Sequence, residues 1–521
     1  MKWGALPLAL ALAACGSGTS QPVAQETGLG RRIAAVGPRA VLPSADGAFL
    51  AWLEDCHVAL GQFLPPGTAN CTLRVAPAAG GDAGKVAGAV TTLPQGIAWG
   101  PAGAVLAALA DYDYAAGSGA LVLWRDGKAR ELAPDVTFYG FGPAGELGFV
   151  SRGALSVLLP GAPEPTAVAG ADGIASFDFS RAAPAACAGV GARLLARRAR
   201  AAGGELLAVG CALDRARPIA ERVGEYGFSA DGALAAFTSD AKDGPLLRLA
   251  QGSATAPGSV IGRGVQRFAF AQAGRGIAFL GDVAPGKQGD LYVAEPGRGP
   301  VRLAKEVGEL RWAAAAPRIA WLERYDPRAR SGVVGAGGPG TPTRTFGKNV
   351  TDFDLSSDGR FVAFLQHTTR GGYSVDLALA PLEAPAGAAA ATVAQGVFGF
   401  AFSPDAKWLY YRTRCIRNGE GCDLERVPAA GLAKDAKPEP IAQGMKSFEF
   451  DPRDPGRLLI GWQRADRQAL DIAVWQGGKL SRVDQVVLPG SARFLGPDSG
   501  RVGYAVIDPK RAGVYVAVLP R

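Results

Sequence analysis

The chain has 521 residues, of which 48% are hydrophobic, and a net charge of +8. That length can bury a large core and fits several domains or a repeat array. The basic balance is modest: it reads as a solvated surface, and its functional counterpart would be an anionic envelope partner such as peptidoglycan or lipid phosphate. The only histidines are His57 and His367, so a His-based triad, an HExxH zinc site and a His-rich metal centre all lack material.

In chain order, the first feature is an apolar run, Ala5 to Ala14, behind Lys2 and broken by Pro7. It is too short to cross a bilayer core, which takes about 20 apolar residues. A charged start, a short apolar core and small residues at its end make an export signal. The run stops at Leu12-Ala13-Ala14-Cys15, which resembles the lipobox of bacterial lipoproteins. The resemblance implies a signal peptide over 1–14, cleavage before Cys15 and acylation of the Cys15 thiol. Residues 15–30 continue after Cys15 as Gly16-Ser17-Gly18-Thr19-Ser20-Gln21-Pro22 and read as a flexible tether. Gly16, rather than Asp, follows the cysteine; in lipoproteins of enterobacterial type this implies the outer membrane. The expected location is the cell envelope, lipid-anchored and facing the periplasm, with the membrane touched only through the anchor. Nucleic acid is not an expected partner there.

Residues 31–521 carry an internal repeat. Tyr226-Gly227-Phe228-Ser229-Ala230-Asp231-Gly232, Phe353-Asp354-Leu355-Ser356-Ser357-Asp358-Gly359 and Phe400-Ala401-Phe402-Ser403-Pro404-Asp405-Ala406 each join an alternating strand to a turn. A more hydrophobic strand follows each turn. Weaker copies start near Ala40, Ile97, Phe138, Phe177, Phe268, Leu310, Phe448 and Phe494. Together they make eleven units, numbered here from the N-terminus, at a period of about 45 residues with four strands per unit. The repeat Asp residues (Asp46, Asp231, Asp358, Asp405) read as turn residues rather than catalytic acids.

The pattern resembles the TolB-type repeat, a relative of the WD-type blade. The resemblance implies an all-β fold, a β-propeller of about eleven four-stranded TolB-like repeats. Proteins of that family carry an α/β domain before their blades; here the repeats begin directly after the tether, so the family's partners do not carry over. Eleven exceeds the usual four to eight blades per ring. Two rings of about five or six blades are expected, with one large ring as the alternative. The last unit ends on its third strand, Tyr515 to Leu519, and Arg31 to Val36 is expected to supply the missing fourth.

Six cysteines remain besides Cys15, an even number that in an exported protein points to disulfides. Cys56 and Cys71 flank the loop between the second and third strands of unit 1, and Cys415 and Cys422 hold the same places in unit 9. Both pairs are expected to be linked, and Cys187 with Cys211 by elimination.

Other motifs dissolve on inspection. Gly335-Ala336-Gly337-Gly338-Pro339-Gly340 matches a dinucleotide fingerprint in letters, but Pro339 and Pro342 forbid the helix it needs; a loop is expected. No Gly-x-Ser-x-Gly elbow occurs. The candidate binding residues lie in the loops between second and third strands: Asp111, Tyr112, Asp113 and Tyr114; Arg324, Tyr325 and Asp326; His367 and Arg370. Long loops on a rigid scaffold are where binding usually resides. The expectation is a non-enzymatic docking scaffold for an envelope protein or a peptidoglycan-associated partner, with no cofactor. The rivals are a glycan- or peptide-acting enzyme with carboxylates converging at a central channel, and a purely structural array.

Overall fold

The computed structural model describes residues 30–519 except 36, 38, 60–63, 66–67, 182–192, 201–202, 252–257, 284–287, 368–374, 384–388, 417–420, 431–436, 465–467 and 497–499. The expected signal peptide, Cys15, Cys187 and Arg370 therefore lie outside the described residues. Within them the chain is all-β: strands in antiparallel sheets, and no helix.

Each of the eleven repeat units is a four-stranded antiparallel meander. Units 1, 6 and 9 stand as separate sheets; the others are joined in pairs into larger ones. Three long strands, Lys128–Phe141, Ala216–Phe228 and Thr341–Leu355, each serve as the fourth strand of one unit and the first of the next. Asp135, Arg222 and Asn349 make the corner in these strands, with φ of 52°, 52° and 54°. Asp and Asn tolerate that left-handed conformation; Arg222 adopts it at a cost.

The second and third strands are buried on both faces, which explains why they read as apolar runs rather than as alternating strands. In Arg457–Gln463, Leu458 and Ile460 join a cluster with unit 9, while Leu459 joins one with unit 11. This arrangement repeats throughout. Eleven apolar clusters occur among the described residues, ten of them linking two successive units. The last of them joins the two ends of the array: Val41, Leu50 and Trp52 of unit 1 pack with Leu495, Ala505 and Val514 of unit 11.

The chain termini meet as the sequence implies. Arg31–Ala34 pairs antiparallel with the final strand, Gly513–Val518, placing Arg31 opposite Val516 and Arg32 opposite Tyr515. Unit 11 thus takes its fourth strand from the N-terminal side. A buried polar network locks the junction. Tyr504 Oη accepts from the Gly30 N–H at 3.1 Å and donates to Asp484 Oδ2 at 2.8 Å. Arg511 donates to Asp484 Oδ1 at 2.5 Å, and the Arg32 guanidinium donates to the Ala512 carbonyl. Burial, and then the neighbouring Asp484, push the Tyr504 phenol well above its ordinary range, so it stays protonated as a donor.

The glycine run is a correction. Gly335 to Gly338 is not a loop but the end of a strand, Ser331–Gly338. The physical reason is close packing: a Cβ on Gly335 would sit 2.6 Å from Trp321 Cε2, and Trp321 is fully buried. Gly335 makes room for an indole, while Gly338 lies close to the Pro317 carbonyl.

Tyr504→Phe leaves the Gly30 N–H and one Asp484 oxygen without their partner, and is expected to cost about 1–3 kcal/mol. Urea unfolding of the variant against Tyr515→Phe, which loses its bonding to Arg511 but leaves Gly30 and Asp484 their Tyr504 partner, checks this. Equal midpoints for the two variants would show that the junction does not limit stability.

Candidate functional site

The turn between first and second strands is built the same way in four units. In unit 5, Ser229 Oγ donates to Asp231 Oδ1 at 2.6 Å, and that oxygen also accepts from the Ala233 N–H at 3.0 Å. Ser229 Oγ accepts from the Leu234 N–H at 3.0 Å. Units 1, 8 and 9 repeat the pattern with Ser44–Asp46, Ser356–Asp358 and Ser403–Asp405. These Asp residues therefore cap turns, as their spacing implied, with a buried serine as the pivot. Burial pushes the Asp231 carboxyl up. The bonds from Ser229, the Ala233 N–H and Arg275 outweigh this and hold it below the ordinary range; Asp405 is held down likewise by Ser403 and Lys407.

In units 2 and 7 the loops between second and third strands are shorter than the sequence implied. In unit 2 the strands run to Asp113 and resume at Ser118. Asp113 Oδ1 caps the turn, accepting from the Ala115 and Ala116 N–H groups at 2.8 and 3.2 Å. Tyr114 reaches back to unit 1, its hydroxyl 2.8 Å from Asn70 Oδ1 and 3.1 Å from Thr91 Oγ1. Tyr112 meets Tyr114 edge to face at 5.1 Å, and Asp111 is exposed at φ 48°. In unit 7, Asp326 caps its turn through the Arg328 and Ala329 N–H groups, and Tyr325 packs against Gly308. Arg324, at φ 50°, lines an open groove between units 6 and 7 with Arg302, Lys305, Glu306 and Glu323. His367 ends the second strand of unit 8, half-exposed and opposite Val375. The structure thus gives most of these residues work within the scaffold and does not gather them into one pocket.

Two disulfides brace this class of loop, Cys56–Cys71 and Cys415–Cys422, with Cα atoms 4.1 and 3.9 Å apart. Cys211 is also disulfide-bonded; its expected partner, Cys187, lies outside the described residues. Among the described residues no group of three or more His, Cys, Asp and Glu could hold a metal ion.

The sequence reading passed over the first strands, and they carry a row of polar groups. One register position recurs there, the second rung of the ladder from the turn: Asp178 opposite Leu195, Gly227 opposite Ala236, Glu449 opposite Leu459 and Arg493 opposite Gly503. Glu449 of unit 10 pairs with Arg493 of unit 11 at 3.0 Å. In unit 7, Arg311 pairs with Asp352 of unit 8 at 2.9 Å and lies over the Phe353 ring. Asp178 of unit 4 faces Gly227 of unit 5. Beside it, Ser176 Oγ and Tyr226 Oη lie 2.8 Å apart. Burial pushes the Asp178 carboxyl up; Arg181 and the Phe179 N–H oppose this without reversing it. Burial also pushes the Tyr226 phenol up, to about 12. The only signal in the sequence was Asp178 in a strand position that five other units fill with Gly or Ala.

No family model and no curated protein matches the chain. It is similar to a crystal structure of the eukaryotic initiation factor, with 13% identity, 70% of this chain and 93% of that chain covered, and a TM-score of 0.41. It is also similar to a crystal structure of the tricorn protease, with 12% identity, 94% of this chain and 57% of that chain covered, and a TM-score of 0.23. The chain thus spans little more than half of the second structure. Both scores are below 0.5, and neither likeness carries an argument about function.

Asp231→Asn keeps the shape of the turn but weakens its hydrogen bonds, an expected cost of about 1 kcal/mol at pH 7. The folded pKa is depressed, so this stability is present above the unfolded value of about 3.9 and is lost as pH falls through the folded value. The gap in melting temperature between wild type and variant should therefore close on acidification. A gap independent of pH would mean that the carboxylate charge is not what the turn uses.

Proposed function

We propose that this chain is a cell-envelope lipoprotein, held on a membrane by lipid on Cys15, whose repeat region is a β-propeller that binds rather than catalyses. The observation that carries the reading is the pair of disulfides Cys56–Cys71 and Cys415–Cys422. Disulfides persist in oxidising compartments outside the cytoplasm. These two brace equivalent loops in units 1 and 9, on the side of the scaffold where binding loops would be held. The partner is an envelope protein or a peptidoglycan-associated polymer.

The packing favours one closed ring of eleven blades over two rings. Two rings would need unit 1 to pack on unit 5 or 6. The apolar cluster at that face of unit 1 is instead made with unit 11, and the same two units are tied by the terminal strand. An unbroken succession of clusters joins the units between. A ring of this size exceeds the usual four to eight blades and leaves a wide central opening lined by the first strands.

Two experiments test the reading. Metabolic labelling with a palmitate analogue should mark the wild type and not Cys15→Ser, and the variant should leave the membrane fraction; a membrane-bound, unlabelled wild type would overturn the anchor. Pull-down of the acylated protein from native membranes should recover a stable envelope partner. For the ring, class averages from electron microscopy should show a single annulus of eleven blades, and two lobes would overturn it.

A further inference from the structure

Three units carry an acid at the recurring first-strand position, Asp178, Asp354 and Glu449, and two of their interfaces with the next unit are resolved in opposite ways. Between units 10 and 11 the acid, Glu449, meets an arginine at the same register position of the next unit, Arg493, at 3.0 Å. Between units 4 and 5 the acid is Asp178, and the same register position of the next unit is Gly227. No ion pair reaches Asp178 among the described residues; Arg181 is exposed and acts on it from beyond ion-pair distance.

Gly227 is not there for the backbone or for packing. Its φ is not in the left-handed region. Among the described residues an added Cβ would meet nothing nearer than Asp178 Oδ2, at 4.0 Å. Compare Gly335, where a Cβ would strike Trp321. Glycine at 227 therefore leaves open space beside a carboxylate, in the place where another interface of this molecule puts a guanidinium. The wall of that space is polar: Ser176 and Tyr226, from the two adjacent first strands, share a hydrogen bond of 2.8 Å. A half-buried carboxylate without a direct ion-pair partner is costly, and a cation that enters its niche recovers that cost.

We propose that the niche formed by Asp178, Ser176, Tyr226 and Gly227 binds the guanidinium group of an external ligand, which stands where Arg493 stands between units 10 and 11. Asp178 accepts the charged hydrogen bonds. The Ser176–Tyr226 pair supplies a hydroxyl oxygen as a further acceptor and gives the guanidinium plane an aromatic neighbour. Gly227 provides the room. The proposal rests on the binding-propeller reading only in taking capture, rather than turnover, as the site's function. The group can belong to an arginine side chain of a protein partner or to a small guanidine.

The test is calorimetric titration of the full soluble region at pH 7 with N-acetylarginine amide, its uncharged citrulline counterpart, agmatine and the tripeptide Ala-Arg-Ala. The arginine amide should bind and the citrulline amide should not. Asp178→Asn should lower the affinity at least tenfold, and Tyr226→Phe several-fold. Gly227→Arg should supply the missing partner internally, abolishing binding while raising the melting temperature. Tighter binding of the tripeptide than of agmatine supports a protein source, and equal binding supports a small guanidine; both support the site. Equal affinity of wild type and Asp178→Asn, or no binding of any guanidine at millimolar concentration, would overturn it. Conversion of a bound probe, detected by mass spectrometry, would sink the scaffold reading and leave the site standing.

Discussion

Every sheet in this protein must be covered on both faces. A four-stranded meander with apolar residues pointing both ways cannot be stable alone, because one face would always lie in water. Each unit solves this by lying between two others. Neighbouring residues of one strand therefore serve different interfaces: Ala51 packs towards unit 2, while Leu50 and Trp52 pack towards unit 11. Burying a side chain of this size contributes about 1.5–3 kcal/mol, and the contribution recurs at each interface. The remaining features follow from the need to keep the succession unbroken.

An array of such sheets has two terminal faces, and the contact between units 1 and 11 covers both at once. The strand Arg31–Ala34 makes this contact covalently continuous with the start of the chain. Tyr504 and Asp484 sit at the join because the Gly30 N–H, at the mouth of the junction, has no ladder partner and requires an acceptor. Polar groups this deep are tolerable only when fully bonded; Asp484, whose side chain is completely buried, receives both Tyr504 and Arg511. The same rule holds at Glu146 and Arg193, an ion pair between units 3 and 4 with both side chains almost wholly buried. Arg426 of unit 9 follows it in another way, stacked between Trp408 and Trp475 while bonded to Glu439.

The first strands depart from this economy. Their side chains are half-exposed where the second and third strands are sealed, as in Ile97–Trp99 and Gly399–Phe402. Charge can therefore stand there at modest cost, and most of it is paired across unit boundaries. Asp178 is the exception that matters, since its partner position was given to a glycine.

The sequence by itself determined the repeat. Alternation in the first strand, the Ser-x-Asp turn and an apolar second strand are local signals, read within a dozen residues, and each has a local cause in pleat, capping and burial. It also determined that Arg31 onward would complete the last unit, because a missing strand can be counted, and that Cys56–Cys71 and Cys415–Cys422 would link, because the two cysteines of each pair face each other across the base of one hairpin. Tertiary structure alone decided what faces what. The run Gly335 to Gly338 reads as a loop until Trp321 is found packed on Gly335, and the aromatic and acidic residues from Asp111 to Tyr114 read as candidate binding residues until Tyr114 is found bonded to unit 1. The meeting of Asp178 with Gly227 spans about 50 residues of chain and one unit boundary. Nothing local distinguishes that glycine from any other; its meaning comes from the carboxylate that the neighbouring sheet places beside it.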